Sequence, residues 1–259
     1  MEPDNTKRLN LTDGELSTVV KVVSMAITGS TNADIAELAK QGASPWTVVH
    51  ALEQSAGRGR YGNTWISQKG NLYMSTLLRP MVAKKRWREL SFVMALAAAS
   101  TIALFIESER VEVKWPNDVL VNDLKIAGIL LEMFDHENCP SSIIVGIGIN
   151  IKNAPVSTTY GATYLNKFLD QATEAASILK ILLGEMFYWT NVWEKKGFDE
   201  IKKNWLQRAY KLGGKVEVSD NNEGTQQFTF IGIDKDGAIL LRDCSGKITK
   251  LMAGTLNFF

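Results

Sequence analysis

The residues with the clearest capacity for chemistry lie in residues 53–65, EQSAGRGRYGNTW. Arg58 and Arg60 each carry a permanent positive charge on a planar fork of donors that matches a carboxylate or a phosphate. Gly57, Gly59 and Gly62 are interspersed with them, and glycine adopts backbone angles that a Cβ resists. Such a loop is expected to be pliable when empty and to clamp an arriving polyanion. Its letters also fit G-x-G-x-x-G. The dinucleotide fingerprint, however, needs a helix opening at the third glycine and an acid about 20 residues further on. Residues 63–70 have no helical period and residues 77–83 have no acid, so a dinucleotide fold is not expected.

Three further stretches carry chemistry-bearing types. In residues 29–32, GSTN, small hydroxyls stand where a strand runs into a helix. Beside free helical N–H groups, Ser30 and Thr31 can hold a ligand's polar head, although Thr31 with Asp34 also reads as an ordinary helix cap. Residues 114–118, KWPND, and 124–130, LKIAGIL, add the cations Lys114 and Lys125. Residues 146–150, GIGIN, put Gly146 and Gly148 inside an apolar strand. Glycine weakens a strand and often marks a close approach. No activated Ser, Cys or His nucleophile stands out, which argues against a covalent enzyme intermediate. His50 and His136 lie far from each other in the sequence, and no zinc site is expected.

The elements that must position these groups follow from periodicity. Residues 1–14 read as a loose tail. Residues 18–27, 46–52, 72–79, 111–115 and 142–151 read as strands, and 119–121 and 124–133 as a hairpin about Asn122-Asp123. Residues 33–41, 174–195 and 198–210 have helical spacing. A basic run, Lys84, Lys85, Arg86 and Arg88, reads as the solvated start of an apolar helix reaching about Ser108. From Lys215 onward, short strands separated by turns at 220–224, 236–237 and 243–246 read as a small barrel or sandwich. A boundary near residues 212–214 divides the chain.

Taken in order and spacing, GSTN, GRGRYG, KWPND with LKIAGIL, and GIGIN resemble the biotin protein ligase family, the biotin–[acetyl-CoA-carboxylase] ligases. The resemblance covers most of residues 18–210. It implies an α+β fold: a mixed β-sheet catalytic domain with packed helices, of the class II synthetase-like biotin/lipoate ligase kind, over 15–212. The C-terminal strands, 213–259, are similar to that family's small SH3-like β-barrel. The resemblance implies a two-step ligase. Biotin's carboxylate attacks the α-phosphate of ATP, giving biotinyl-5′-AMP and pyrophosphate, and a lysine of a biotin carboxyl carrier protein then takes the biotin. An anion must approach an anion, and Arg58, Arg60, Lys114 and Lys125 supply fixed cations for that.

By the same resemblance, Ser30, Thr31, Asn32 and Gln54 hold biotin's ureido head. The loop closes with Gly57, Arg58, Gly59 and Arg60 over biotin and the phosphates, and Trp65 forms an apolar wall. Lys114 and Asn117 contact the substrates. Lys125 bridges the carboxylate and the α-phosphate. Gly128 and Gly146 let backbone approach the ligand, and Asn150 faces adenine. Asp118 accepts a proton from the incoming lysine or orients it, because a free lysine with a pKa of about 10.4 must lose a proton to attack. Lys125, Arg60 and Asp118 are thus the expected catalytic residues. Magnesium is expected through the ATP phosphates, with no protein metal cage. A lipoate or octanoate ligase of the related fold, or a non-catalytic biotin-binding regulator, are the alternatives. Gly29 stands where the family often has Asp, Asn63 where a basic residue is common, and AGTLNFF lacks an acid found in many members.

Composition bounds the rest. The 259 residues, 45% hydrophobic, suffice for one large core and a small second unit. With 29 basic and 28 acidic residues the net charge is +1, giving no footprint for nucleic acid. Only 28 residues precede Gly29, too few for a winged helix plus the first strand, so no DNA-binding role is expected. Residues 90–106 are too short and too rich in Ala, Ser and Thr for a membrane span. Cys139 and Cys244 are far apart in sequence, as in a chain with reduced thiols. A cytoplasmic enzyme without nucleic-acid or membrane partners is expected, with a homodimer left open.

Overall fold

The computed structural model describes residues 19–106, 111–137, 139–156, 161–220, 224–254 and 256–258. The expected tail at 1–14, the first residue of the strand expected from 18, the helix end near Ser108 and the centre of the turn at 220–224 lie outside the described residues.

Seven strands form the main sheet: β1 (Lys21–Thr28), β2 (Thr47–Gln54), β3 (Leu72–Leu78), β4 (Val111–Lys114), β5 (Asp118–Val121), β6 (Leu124–His136) and β7 (Cys139–Ile149). Their order is β1-β2-β3-β7-β6-β5-β4. β1 and β2 run parallel and every other pair is antiparallel. The mixed sheet is therefore as expected. The parallel pair is joined by helix α1 (Thr31–Lys40), as a parallel connection requires. Asn122 and Asp123 both have positive φ, so the β5–β6 hairpin closes on the primed turn expected of Asn-Asp.

The two faces of the sheet differ. Along β7, Ile143, Val145, Ile147 and Ile149 pack into the main core, while Ile144, Gly146 and Gly148 alternate onto the other face. On the core side lies α2 (Leu90–Ala103), buried all round and therefore an interior helix. Among the described residues no helix is long and apolar enough to cross a membrane. Behind α2 lie α3 (Ala175–Lys196) and α4 (Phe198–Gln207), with Trp193 and Trp205 fully buried. The opposite face carries α1 over Val49, Leu77 and Ile144. Beside α1 the glycines leave that face open.

The basic run is largely solvated, as expected, with Lys84, Lys85 and Arg88 exposed and Arg86 half-buried. Residues Lys84–Glu89 form a 3-10 turn. Arg86 pairs with the buried carboxylate of Glu89, which also accepts from the indole of Trp193. Lys84 pairs with Asp135 and Arg88 with Asp236. Buried charge persists where it is paired, and Glu89 is paired from two sides.

The C-terminal strands β8 (Lys215–Asp220), β9 (Gly224–Ile233), β10 (Ile239–Arg242), β11 (Ile248–Leu251) and β12 (Leu256–Phe258) form a second, wholly antiparallel sheet. Its order is β11-β10-β9-β8-β12. The indole of Trp115 donates to the carbonyl of Gly237 at 3.1 Å, tying this sheet to the turn after β4.

Candidate functional site

The open half of the sheet is the floor of a cavity of about 470 Å³, within the size range of small-molecule sites. Its walls are the β1–α1 junction, the loop after β2, the turn between β4 and β5, and Gly254 and Leu256 from the second sheet.

The arginine loop is more ordered than its glycine content suggests. It folds back as a small hairpin, with Trp65 N–H donating to Gly57 O at 2.9 Å and Gly59 N–H to Asn63 O at 2.7 Å. Tyr61 and Gly62 turn the tip with positive φ. A Cβ on Gly57 would collide with Trp65 O and Ser67 Oγ. Gly57 is therefore the point where the hairpin closes, and it stands outside the cavity lining. The other expected residues, Ser30, Thr31, Asn32, Gln54, Arg58, Gly59, Arg60, Trp65, Lys114, Asn117, Asp118, Lys125, Gly128, Gly146 and Asn150, all line the cavity.

Sheet register explains how the floor is built. Gly128 and Gly148 are partners across β6 and β7. A Cβ on Gly148 would lie 2.6 Å from the Trp65 indole, and one on Gly128 2.9 Å from it. A Cβ on Gly146 would run into the amide of Asn32. The strand glycines thus seat Trp65 and Asn32 at the cavity that they also line. Gly148 was not among the expected site residues, although a second glycine in the same strand was its signal. The indole Nε1–H of Trp65 is buried without a partner among the described residues. A buried donor in that state is available to a ligand acceptor.

At the head of the cavity, Thr31 does not cap α1; Ser30 holds the cap position, without a side-chain hydrogen bond. Instead, Thr31 N–H donates to Gln54 Oε1 at 2.9 Å, and its hydroxyl lies 2.7 Å from Ser75 Oγ. Ser75 donates to Asn32 Oδ1. Asp34 accepts from Thr28 Oγ1 at 2.6 Å. The helix start is therefore spent on a buried polar cluster facing the cavity. Tyr73, beside it, has its phenol pushed up to about 12 by burial, and its hydroxyl donates to Gln68 O.

The cations line the same cavity. Lys125 Nζ lies 2.7 Å from Asp118 Oδ1 and 5.2 Å from the centre of the Trp65 ring. Arg60 donates to Asn117 Oδ1 at 3.1 Å, and Asn117 is locked to β6 by its own bond to Ile129 O at 2.7 Å. Arg58 pairs with Glu132 at 2.9 Å. Burial holds the Lys114 ammonium below its ordinary pKa, and the group lies 5.5 Å from the Phe258 ring. Asn150 is buried and donates to Thr163 O at 3.0 Å, so it braces the loop at the cavity wall. Such an arrangement can hold a polar head on the neutral cluster and gather several negative oxygens on the cations.

A biotin–[acetyl-CoA-carboxylase] ligase of Paracoccus denitrificans is 36% identical over 229 residues, spanning 86% of this chain and 95% of that protein. The chain belongs to the biotin protein ligase family. Residues 24–150 also match the biotin/lipoate A/B protein ligase family model, and that range holds all four motifs. The bifunctional ligase/repressor BirA of Bacillus subtilis is 34% identical over 237 residues, covering 85% of this chain and 69% of that one. Among solved structures, a biotin protein ligase from Aquifex aeolicus in complex with biotin and ATP superposes with a TM-score of 0.79 at 26% identity, covering 92% of this chain and 98% of that one.

Proposed function

We propose that this ligase joins biotin to ATP in the cavity described above, then passes the biotin to a lysine of a biotin carboxyl carrier protein. The observation that carries the reading is the meeting of Arg58, Arg60, Lys114 and Lys125 on one cavity that also holds a neutral polar cluster. A neutral ureido ring suits that cluster. Biotin's carboxylate and the triphosphate suit the cations, whose fixed charges offset the repulsion between two anions.

In the first step the carboxylate oxygen attacks the α-phosphorus and pyrophosphate leaves. Lys125 shifts from Asp118 to bridge the reacting oxygens, while Arg60, held by Asn117, stays on the phosphates. In the second step the neutral amine of the carrier lysine attacks the biotinyl carbonyl and AMP leaves. Asp118, freed of Lys125, accepts the proton of that amine or orients it. Asp118 is the one carboxylate among the described residues lining the cavity, and it is paired. Magnesium would accordingly be held chiefly by the ATP phosphates and water, where it would offset phosphate charge.

In this reading residues 15–212 are the catalytic domain. Residues 213–259 are a barrel of the SH3-like kind, with Gly254 and Leu256 closing the nucleotide end. The enzyme works in the cytoplasm, where carrier, biotin and ATP meet.

The test is biotin-dependent exchange of pyrophosphate into ATP, followed by transfer of labelled biotin to a carrier domain. Exchange with lipoate and none with biotin overturns the substrate. Tight biotin binding without transfer overturns the ligase reading in favour of a regulator.

A further inference from the structure

One acidic residue links the polar head cluster to the arginine loop. Glu132 on β6 faces the cavity side of the sheet, two steps beyond Leu130 and so on the same face as Gly128. Its Oε2 accepts from Asn32 Nδ2 at 2.6 Å and from Arg58 Nη2 at 2.9 Å. A carboxylate only accepts, so the Asn32 amide must turn its NH₂ toward Glu132. The Asn32 carbonyl is thereby left to Ser75, whose hydroxyl donates to it, and the Thr31 hydroxyl lies next in line. The donor and acceptor sense of the polar head cluster is thus set from Glu132. The same carboxylate occupies the guanidinium of Arg58, the group expected to meet substrate oxygens.

We propose that Glu132 is a positioning residue with two separable tasks: it fixes the amide orientation of Asn32, and it holds Arg58 as an internal stand-in for the anion until a ligand replaces it. The first task rests on the reading that the head cluster binds biotin. The second concerns the ligand-free chain and stands on its own contacts. Arg58 is half exposed, so its pairing is a modest restraint that a ligand can displace.

Two variants separate the tasks. Glu132→Gln keeps an acceptor oxygen for Asn32 but loses the charge that holds Arg58. Glu132→Ala loses both. Trypsin cleavage at the loop arginines of the ligand-free protein reads the Arg58 task. Biotin affinity, measured by calorimetry, reads the Asn32 task, and a melting curve checks that each variant is folded. Both variants should be cut about threefold faster than the parent, as expected for loss of a surface pair. Glu132→Ala should bind biotin about tenfold more weakly, because a charge-assisted bond to a buried amide is lost. Glu132→Gln should stay within about twofold of the parent, since its oxygen still serves Asn32. Cleavage of folded Glu132→Gln at the parent rate overturns the Arg58 task. Parent-like biotin affinity in Glu132→Ala overturns the Asn32 task. A parent protein that binds no biotin overturns the proposed function and with it the Asn32 task, while the cleavage comparison still decides the other.

Discussion

Lys125 and Asp118 stand on neighbouring antiparallel strands and form an ion pair of 2.7 Å at the cavity. The pairing of β5 and β6 slips between Val119 and Leu120, so that Leu120 faces Lys125 while Val119 faces Ala127. Ile126 is the extra residue of a β-bulge, and its carbonyl accepts from Asn150 N–H at 2.8 Å. Strict alternation would send Lys125 and Gly128 to opposite faces. The bulge turns both toward the cavity, a use of bulges that recurs next to active sites. The cation thereby lies against Trp65 and over the glycine that seats it.

Lys125→Ala should reduce adenylate formation by roughly tenfold or more, since one charge-assisted contact is worth about 1.5–3 kcal/mol. Biotin-dependent pyrophosphate exchange measures this. The melting temperature should move little by comparison, because both partners of the pair retain solvent access. Exchange within twofold of the parent would remove Lys125 from its assigned role.

Asp118→Asn should separate the two half-reactions. It keeps the shape of the side chain and removes its charge. Release of Lys125 leaves adenylation largely intact, whereas transfer loses its proton acceptor. Single-turnover transfer from preformed biotinyl-AMP to a carrier domain should fall about a hundredfold, the lower end of general-base effects. Equal losses in both steps would mean that Asp118 serves only to hold Lys125.

Gly148→Ala should displace the Trp65 indole, which a Cβ there would meet at 2.6 Å. An indole ring cannot bend aside as a lysine tip can. Biotin affinity should fall by about tenfold, in the range of a strained, repacked contact. Trp65 emission should change, provided the other tryptophans are controlled with a Trp65→Phe background. Unchanged affinity would show that Trp65 has room to move.

His50 predicts a pH dependence of stability. It is buried on β2, and burial holds its imidazole below the ordinary value of 6.5. A lowered folded value means that, as pH falls below 6.5, the unfolded chain takes up a proton that the folded chain resists. Stability from this group is present above that pH and is lost as acid reaches the folded value. Melting curves from neutral pH down to about pH 5, within the range where histidine titrates, should therefore fall less steeply for His50→Gln than for the parent. Parallel slopes would assign the acid sensitivity to other groups.

Sequence alone determined the kinds of groups and their order along the chain. Arginines between glycines, a lysine in each of KWPND and LKIAGIL, and hydroxyls in GSTN are local patterns, and local patterns are legible because residue type sets charge, donor geometry and backbone freedom. Strand and helix periods were legible for the same reason, and so was the Asn122-Asp123 turn. Tertiary structure decided which groups meet. Thr31 reads locally as a cap, yet Gln54 and Ser75, brought in by β2 and β3, take its hydrogen bonds. Gly146 and Gly148 read as places of close approach, and the fold decided that Asn32 and Trp65 are what come close to them. The basic run before α2 reads as solvated and is largely exposed, but that Glu89, Asp135 and Asp236 pair with it from three parts of the chain was not legible. The bulge at Ile126 and the reach of Glu132 to Asn32 and Arg58 have no local signature. Each depends on a strand partner or a neighbour distant in sequence, and only the folded sheet sets those distances.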